Sequence, residues 1–119
     1  MEDKIDVFER FVKPGEEYVN VIPAFRELDE YSFSDVWDAI VRLQGCVFVT
    51  CRGMEFVYEV RGGELFVDRK SKSITKSTVR MAYEKARALE VVAGPKKLGT
   101  FGASYLYPIF VTLGVCRVS

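Results

Sequence analysis

Cys46-Val47-Phe48-Val49-Thr50-Cys51-Arg52-Gly53-Met54-Glu55-Phe56-Val57-Tyr58-Glu59-Val60-Arg61-Gly62-Gly63-Glu64-Leu65-Phe66-Val67-Asp68-Arg69 is the stretch that decides the fold. Its apolar and polar residues alternate with a period of two, the mark of half-buried strands. Arg52-Gly53 and Gly62-Gly63 interrupt the pattern, and glycine supplies the positive φ that tight hairpins need. The spacing predicts strands over residues 46–52, 54–60 and 64–69. With two-residue loops at both turns, Val47 faces Tyr58, Tyr58 faces Val67, and Val49 faces Phe56. Cys51, Met54, Val60 and Leu65 then share that inner face, and a slip of one residue would scramble the set. The other face carries Phe48, Thr50, Val57 and Phe66 among Arg52, Glu55, Glu59, Asp68 and Lys70. So mixed a face is either covered by another element or used as a contact surface.

Helices are expected on both sides of the strands. Upstream, Ile5, Phe8, Phe11 and Val12 fall at helical spacing over residues 3–12, and Pro14-Gly15 ends the run. Residues 16–22 read as extended and 23–31 as irregular. Ser32-Phe33-Ser34-Asp35 opens a helix with an acid placed for the first-turn donors, and Gly45 stops it. Downstream, Ser73 or Thr75 caps a long helix to Leu89, with Val79, Ala82, Ala86 and Leu89 as its buried stripe. A loop around Gly94-Pro95 leads to a last helix over residues 104–113, ended by Gly114. The class is therefore α+β: a three-stranded antiparallel meander at about 46–69 with helices before and after it, in the order α-(β)-α-β-β-β-α-α. The chain reads as a single domain over residues 1–119.

Composition narrows the function. Apolar residues are 49% and charged residues 29% of the 119-residue chain, values of a globular domain rather than a disordered one. There is no histidine, which removes Ser-His-Asp triads, Cys-His dyads and histidine-containing zinc sites. Cys46, Cys51 and Cys116 form no CxxC pair and read as reduced thiols. Cys46 and Cys51, in one strand, point apart and cannot bridge. No apolar run approaches a membrane span, and no apolar segment follows Met1-Glu2-Asp3-Lys4, so no membrane partner and a cytoplasmic location are expected. The zero net charge conceals a split: residues 1–38 hold eleven acids and four bases (−7), and residues 39–119 hold six acids and thirteen bases (+7). The acidic part either docks on the basic part, within a molecule or across a homo-oligomer, or leaves a charged binding face.

Two motifs carry the binding chemistry. The first is Arg69-Lys70-Ser71-Lys72-Ser73-Ile74-Thr75-Lys76-Ser77-Thr78-Val79-Arg80, with five cations, five hydroxyls and no acid. Cations neutralise phosphates, and hydroxyls and a helix N-terminus donate to phosphate oxygens. Lys76, Arg80, Tyr83 and Arg87 align along its helix, where an Arg80–Glu84 ion pair on a solvated face is the plain alternative. Its start also resembles the recognition helix of a helix-turn-helix, but that motif needs a preceding helix and a short turn, and residues 64–68 read as a strand. The second motif is the loop of Lys96, Lys97, Gly99, Thr100, Phe101, Gly102 and Ser104, with Tyr105, Tyr107 and Phe110 beyond. Its glycines let backbone donors reach an anion. The Gly99/Gly102 spacing resembles the nucleic-acid clamp of KH domains, but the element order is not theirs. It is neither a Walker loop nor a dinucleotide fingerprint, so no cofactor is implied. Tyr105 and Tyr107 cannot both lie on one helix face, so one of them meets the loop or solvent.

The candidate ligand-binding residues are thus Arg69, Lys70, Lys72, Lys76, Arg80, Arg87, Lys96, Lys97, Gly99, Gly102, Ser104 and Tyr105. Arg80, Arg87, Lys96 and Lys97 are expected to form one positive surface with Tyr105 at its edge. The leading expectation is a module that binds nucleic acid or another phosphate-bearing ligand. The second is a protein-interaction module, self-associating through the acidic segment or the face of Phe48, Val57 and Phe66. An enzyme comes last, since no catalytic constellation is visible.

Overall fold

The computed structural model describes residues 10–13, 15–70 and 72–118. Most of the helix expected over residues 3–12 lies outside them. Phe11 and Val12 are buried, and Val12 bridges to Phe48 in antiparallel fashion. In chain order the elements are α1 (Glu16–Arg26), α2 (Phe33–Arg42), β1 (Phe48–Val49), β2 (Glu55–Phe56), β3 (Tyr58–Arg61), β4 (Glu64–Val67), β5 (Ile74–Thr75), α3 (Lys76–Leu89), a 3-10 turn (Pro95–Leu98) and α4 (Ala103–Leu113). The class is α+β, with an antiparallel three-stranded sheet β3-β4-β5 and a two-stranded pair β1-β2.

The second hairpin has the expected register: Tyr58 pairs with Val67, Val60 with Leu65 and Arg61 with Glu64 across Gly62-Gly63. The first does not. Phe48 pairs with Phe56 and Val49 with Glu55. The connection is Cys51-Arg52-Gly53, three residues rather than two: Gly53 N–H donates to Thr50 O at 2.9 Å, and Thr50 N–H to Met54 O at 2.9 Å. Gly53, at φ +85, takes the left-handed position that such a loop requires. The Thr50 hydroxyl accepts from Met54 N–H at 3.1 Å and fixes the turn. One extra loop residue reverses the facing of β1. Phe48 is therefore buried, stacked on Phe56 and Tyr58 at 5.9 and 6.0 Å, while Cys51 and Met54 are exposed. The mixed contact face is corrected accordingly. Phe48 and Thr50 are interior, and only Val57 and Phe66 remain half-buried, Phe66 beneath Arg61 at 4.1 Å. At Val57 the ladder changes sheets, held by Asp68 through both its backbone N–H and its carboxylate.

Residues 16–22, expected extended, are helical as the larger part of α1, which runs through Pro23. The helix is held by tertiary packing of Ile22 and Phe25 and by Arg26. The Arg26 guanidinium donates to Thr112 O at 2.8 Å, placing a cation at the C-terminal carbonyls of α4. α2 begins as expected: Ser32 N–H donates to the Asp35 carboxylate at 2.9 Å. Thr75 caps α3 by accepting from Thr78 N–H at 3.2 Å. From Leu106 to Leu113 every residue of α4 is buried, so it is the central helix, apolar all round. α1, α3 and β1 pack against it. Two core phenols find backbone acceptors: Tyr58 OH donates to Ile40 O at 2.6 Å and Tyr107 OH to Val92 O at 2.7 Å.

Gly102 caps α4 with φ +76, and a Cβ there would fall 2.7 Å from Cγ1 of the fully buried Ile74. Gly99, at φ +69, has open space around its missing Cβ. Gly102→Ala is expected to lower the unfolding free energy by about 2–4 kcal/mol, strain and overpacking together, and Gly99→Ala by about 1–2 kcal/mol. Urea denaturation of both variants checks the order.

Burial also pushes up the pKa of Tyr58, of Tyr107 to about 12 and of Cys116 to about 11, from ordinary values of 10.0, 10.0 and 9.0. All three are acids that the folded state keeps protonated. Their contribution to stability is complete below the ordinary values and is lost as pH rises through the raised ones. The urea midpoint should fall between about pH 9 and pH 12, less steeply for Tyr107→Phe. A midpoint independent of pH up to 12 would contradict these burial effects.

Candidate functional site

The glycine loop and the tip of the first hairpin enclose a groove of about 880 Å³. One wall is Thr50, Cys51, Arg52 and Met54; the other runs from Ala93 through Lys96, Lys97, Gly99, Thr100, Phe101 and Gly102 to Tyr105. Lys96 and Lys97 sit on the 3-10 turn, which Gly99 ends in the left-handed conformation. Gly102 then starts α4 with no side-chain cap on its first-turn donors. Positive backbone dipole and two ammonium groups therefore meet at one wall, and Arg52 adds a third cation opposite. The Thr100 hydroxyl oxygen is buried without a hydrogen-bond partner. Tyr105 lies edge-on to Phe56 at 4.9 Å and lines the groove, whereas Tyr107 points into the core. The two tyrosines therefore part, Tyr105 to the loop and Tyr107 to the interior, as their two-residue spacing on one helix requires.

Phe101 is the unusual side chain in this wall. It is 40% exposed, and the ammonium groups of Lys70 and Lys72 lie 5.3 and 4.9 Å from its ring centre. The basic run thereby reaches the glycine loop. What brings them together is β5, whose Ile74 side chain lies against Gly102.

The remaining cations go elsewhere. Lys76 and Arg80 line a second cleft of about 700 Å³ with Ser32, Phe33, Ser34, Trp37, Asp38 and Ser77. Lys76 lies over Trp37 at 5.1 Å and Arg80 over Phe33 at 5.5 Å, with Arg80 also 3.4 Å from Glu84. Arg87 stacks on Tyr31 at 4.4 Å and on Tyr83 at 5.9 Å. Arg69 Nε donates to the backbone carbonyl of Glu55 at 2.7 Å, a structural use. Arg80 and Arg87 thus sit on the α2 side of α3, and Lys96 and Lys97 in the groove wall. The one surface expected of these four is divided: Lys96 and Lys97 line the groove, Arg80 lines the second cleft, and Arg87, over Tyr31 and Tyr83, belongs to neither lining. Tyr105 stands by the groove.

Arg52, Trp37 and Ser34 are absent from the candidates that the sequence suggests, whereas Phe101 stands there as an aromatic of the loop motif. Arg52 lies in the turn under either loop length, and only the approach of the hairpin tip to the glycine loop makes it part of a groove. Trp37 becomes visible only when α2 docks beside α3. For catalysis the chemistry is sparse. Partial burial pushes the Cys51 thiol's pKa up, against a smaller pull from Arg10, so the groove thiol stays protonated at neutral pH. None of the three cysteines forms a disulfide. No group of three or more metal-ligating side chains occurs among the described residues, and none of their helices is long and apolar enough to cross a membrane. No family model matches the chain, and comparison with curated proteins and with solved structures likewise finds no match.

Proposed function

We propose that this protein is a binding module for nucleic acid or another phosphate-bearing ligand, with the groove between the first hairpin and the glycine loop as its primary site. The observation that carries the reading is Phe101, an exposed ring bracketed by Lys70 and Lys72 at a groove that already holds Arg52, Lys96 and Lys97. An aromatic face beside cations offers stacking for a base and neutralisation for the phosphate attached to it. Gly99, with open space around its missing Cβ, allows a ligand to approach the loop backbone closely. The reading is one of binding rather than catalysis.

A second reading is self-association. Glu27, Asp29 and Glu30 are exposed after α1, and among the described residues no ion pair joins them to the cations of residues 69–87. That acidic stretch therefore remains available to the basic face of another copy.

The test is a titration with labelled single-stranded oligonucleotides at roughly 50 and 200 mM salt. A strand held by about four cations should lose about 50-fold in affinity across that range, from a slope of about 0.7 per neutralised phosphate. Phe101→Ala should weaken binding about ten-fold or more, and Lys96→Ala/Lys97→Ala should weaken it and flatten the salt dependence. Arg61→Ala, a cation on the sheet outside both clefts, should change little. Absence of wild-type binding at the lower salt overturns the reading. A salt-sensitive dimer in sedimentation under the same conditions would then favour self-association.

A further inference from the structure

We propose that the groove and the second cleft are the two ends of one track for a single-stranded nucleic acid, with Phe101 and Trp37 as its stacking platforms. The inference rests on the binding function above and specifies its ligand as a strand several nucleotides long.

The basic run joins the two sites. Lys70 and Lys72 stand at Phe101, and Lys76 stands at Trp37. Three residues lie between Lys72 and Lys76, so their Cα atoms are at most about 14 Å apart. Ile74, midway, is buried and anchored against Gly102, while Lys72, Thr75, Lys76 and Ser77 are exposed along the same stretch. At the roughly 3.4 Å per nucleotide of a stacked strand, such a gap takes about four nucleotides. A mononucleotide fills one site; only a longer strand reaches both.

The second cleft is suited to a nucleotide unit. Trp37 is partly exposed in its wall and backed by Phe33, 6.1 Å between ring centres. Lys76, Arg80, Ser34 and Ser77 surround it with cations and hydroxyls. Asp38 is the one carboxylate among the residues that line it, and it makes no ion pair with Lys76 or Arg80. Two rings at opposite ends of a cationic run select unpaired bases, because a duplex hides its base faces in the stack.

The experiment compares a dinucleotide, a tetranucleotide and a dodecanucleotide of one pyrimidine, plus a duplex of dodecamer length, at low salt. Affinity should rise more than ten-fold from dinucleotide to dodecamer. Trp37 is the chain's one tryptophan, so its fluorescence should be quenched at a lower nucleotide concentration by the dodecamer than by the dinucleotide. Trp37→Ala should abolish the gain with length, and Trp37→Phe should restore it. Lys76→Gln, on an exposed side chain, gives the same readout without disturbing the core. Asp38→Asn should tighten dodecamer binding.

Equal affinities at all lengths, an unchanged length profile in Trp37→Ala or Lys76→Gln, or equal binding of the duplex would overturn the track and leave the groove reading standing. If no oligonucleotide binds, both fall.

Discussion

The packing of Ile74 on the backbone of Gly102 is the contact on which the arrangement of the surface depends. It requires a residue without a Cβ at the start of α4, and it requires β5 to turn Ile74 inward before α3 begins. Once made, it fixes the basic run beside the glycine loop. Lys72 and Lys76, two residues to either side of Ile74, then face outward at Phe101 and at Trp37. β5 is only two residues long and pairs with β4 at Leu65 and Glu64. Its position therefore owes more to this buried contact, and to the Ser73 hydroxyl donating to the Glu64 carboxylate, than to ladder hydrogen bonds.

The energetics of the surface follow from the same placement. Lys70, Lys72, Lys76, Arg80 and Arg87 all lie over aromatic rings in the free protein. Such contacts stabilise by roughly 0.5–1 kcal/mol each at exposed sites. They hold long side chains in position and reduce the ordering cost of binding a polyanion. Among the described residues the one ion pair made by these five cations is that of Arg80 with Glu84, so most of them remain electrostatically available. Proximity of rings and cations is thus structural in the free state and useful in the bound one.

Part of this was legible in the sequence because it is local. The capping box at Ser32, the Thr75 cap, the glycine stops and the second hairpin's register all depend on residues close in the chain. The first hairpin failed on one residue. Cys51-Arg52-Gly53 accommodates a two- or a three-residue loop, and period two carries either error along the strand, which put Phe48 on the wrong face. α1 was missed because Glu16-Glu17-Tyr18-Val19-Asn20-Val21-Ile22 mixes β-branched residues with Pro23 close behind, and tertiary packing overrode that local preference. The basic run and the glycine loop were visible as chemistry. Their division into two clefts was not, since it depends on where α2 docks against α3 and on a contact between residues 74 and 102.

The central claim is that the segment around Ile74 and the glycine loop form one ligand surface. Backbone amide chemical shifts of the isotope-labelled protein, followed during addition of a pyrimidine dodecamer, test it most directly. The account predicts that shift changes concentrate at residues 70–80, at residues 96–105 and at the Trp37 indole, while the β3–β4 hairpin around Gly62 is unaffected. Changes confined to the acidic residues 27–30 or to the face of Val57 and Phe66, with the glycine loop silent, would contradict it.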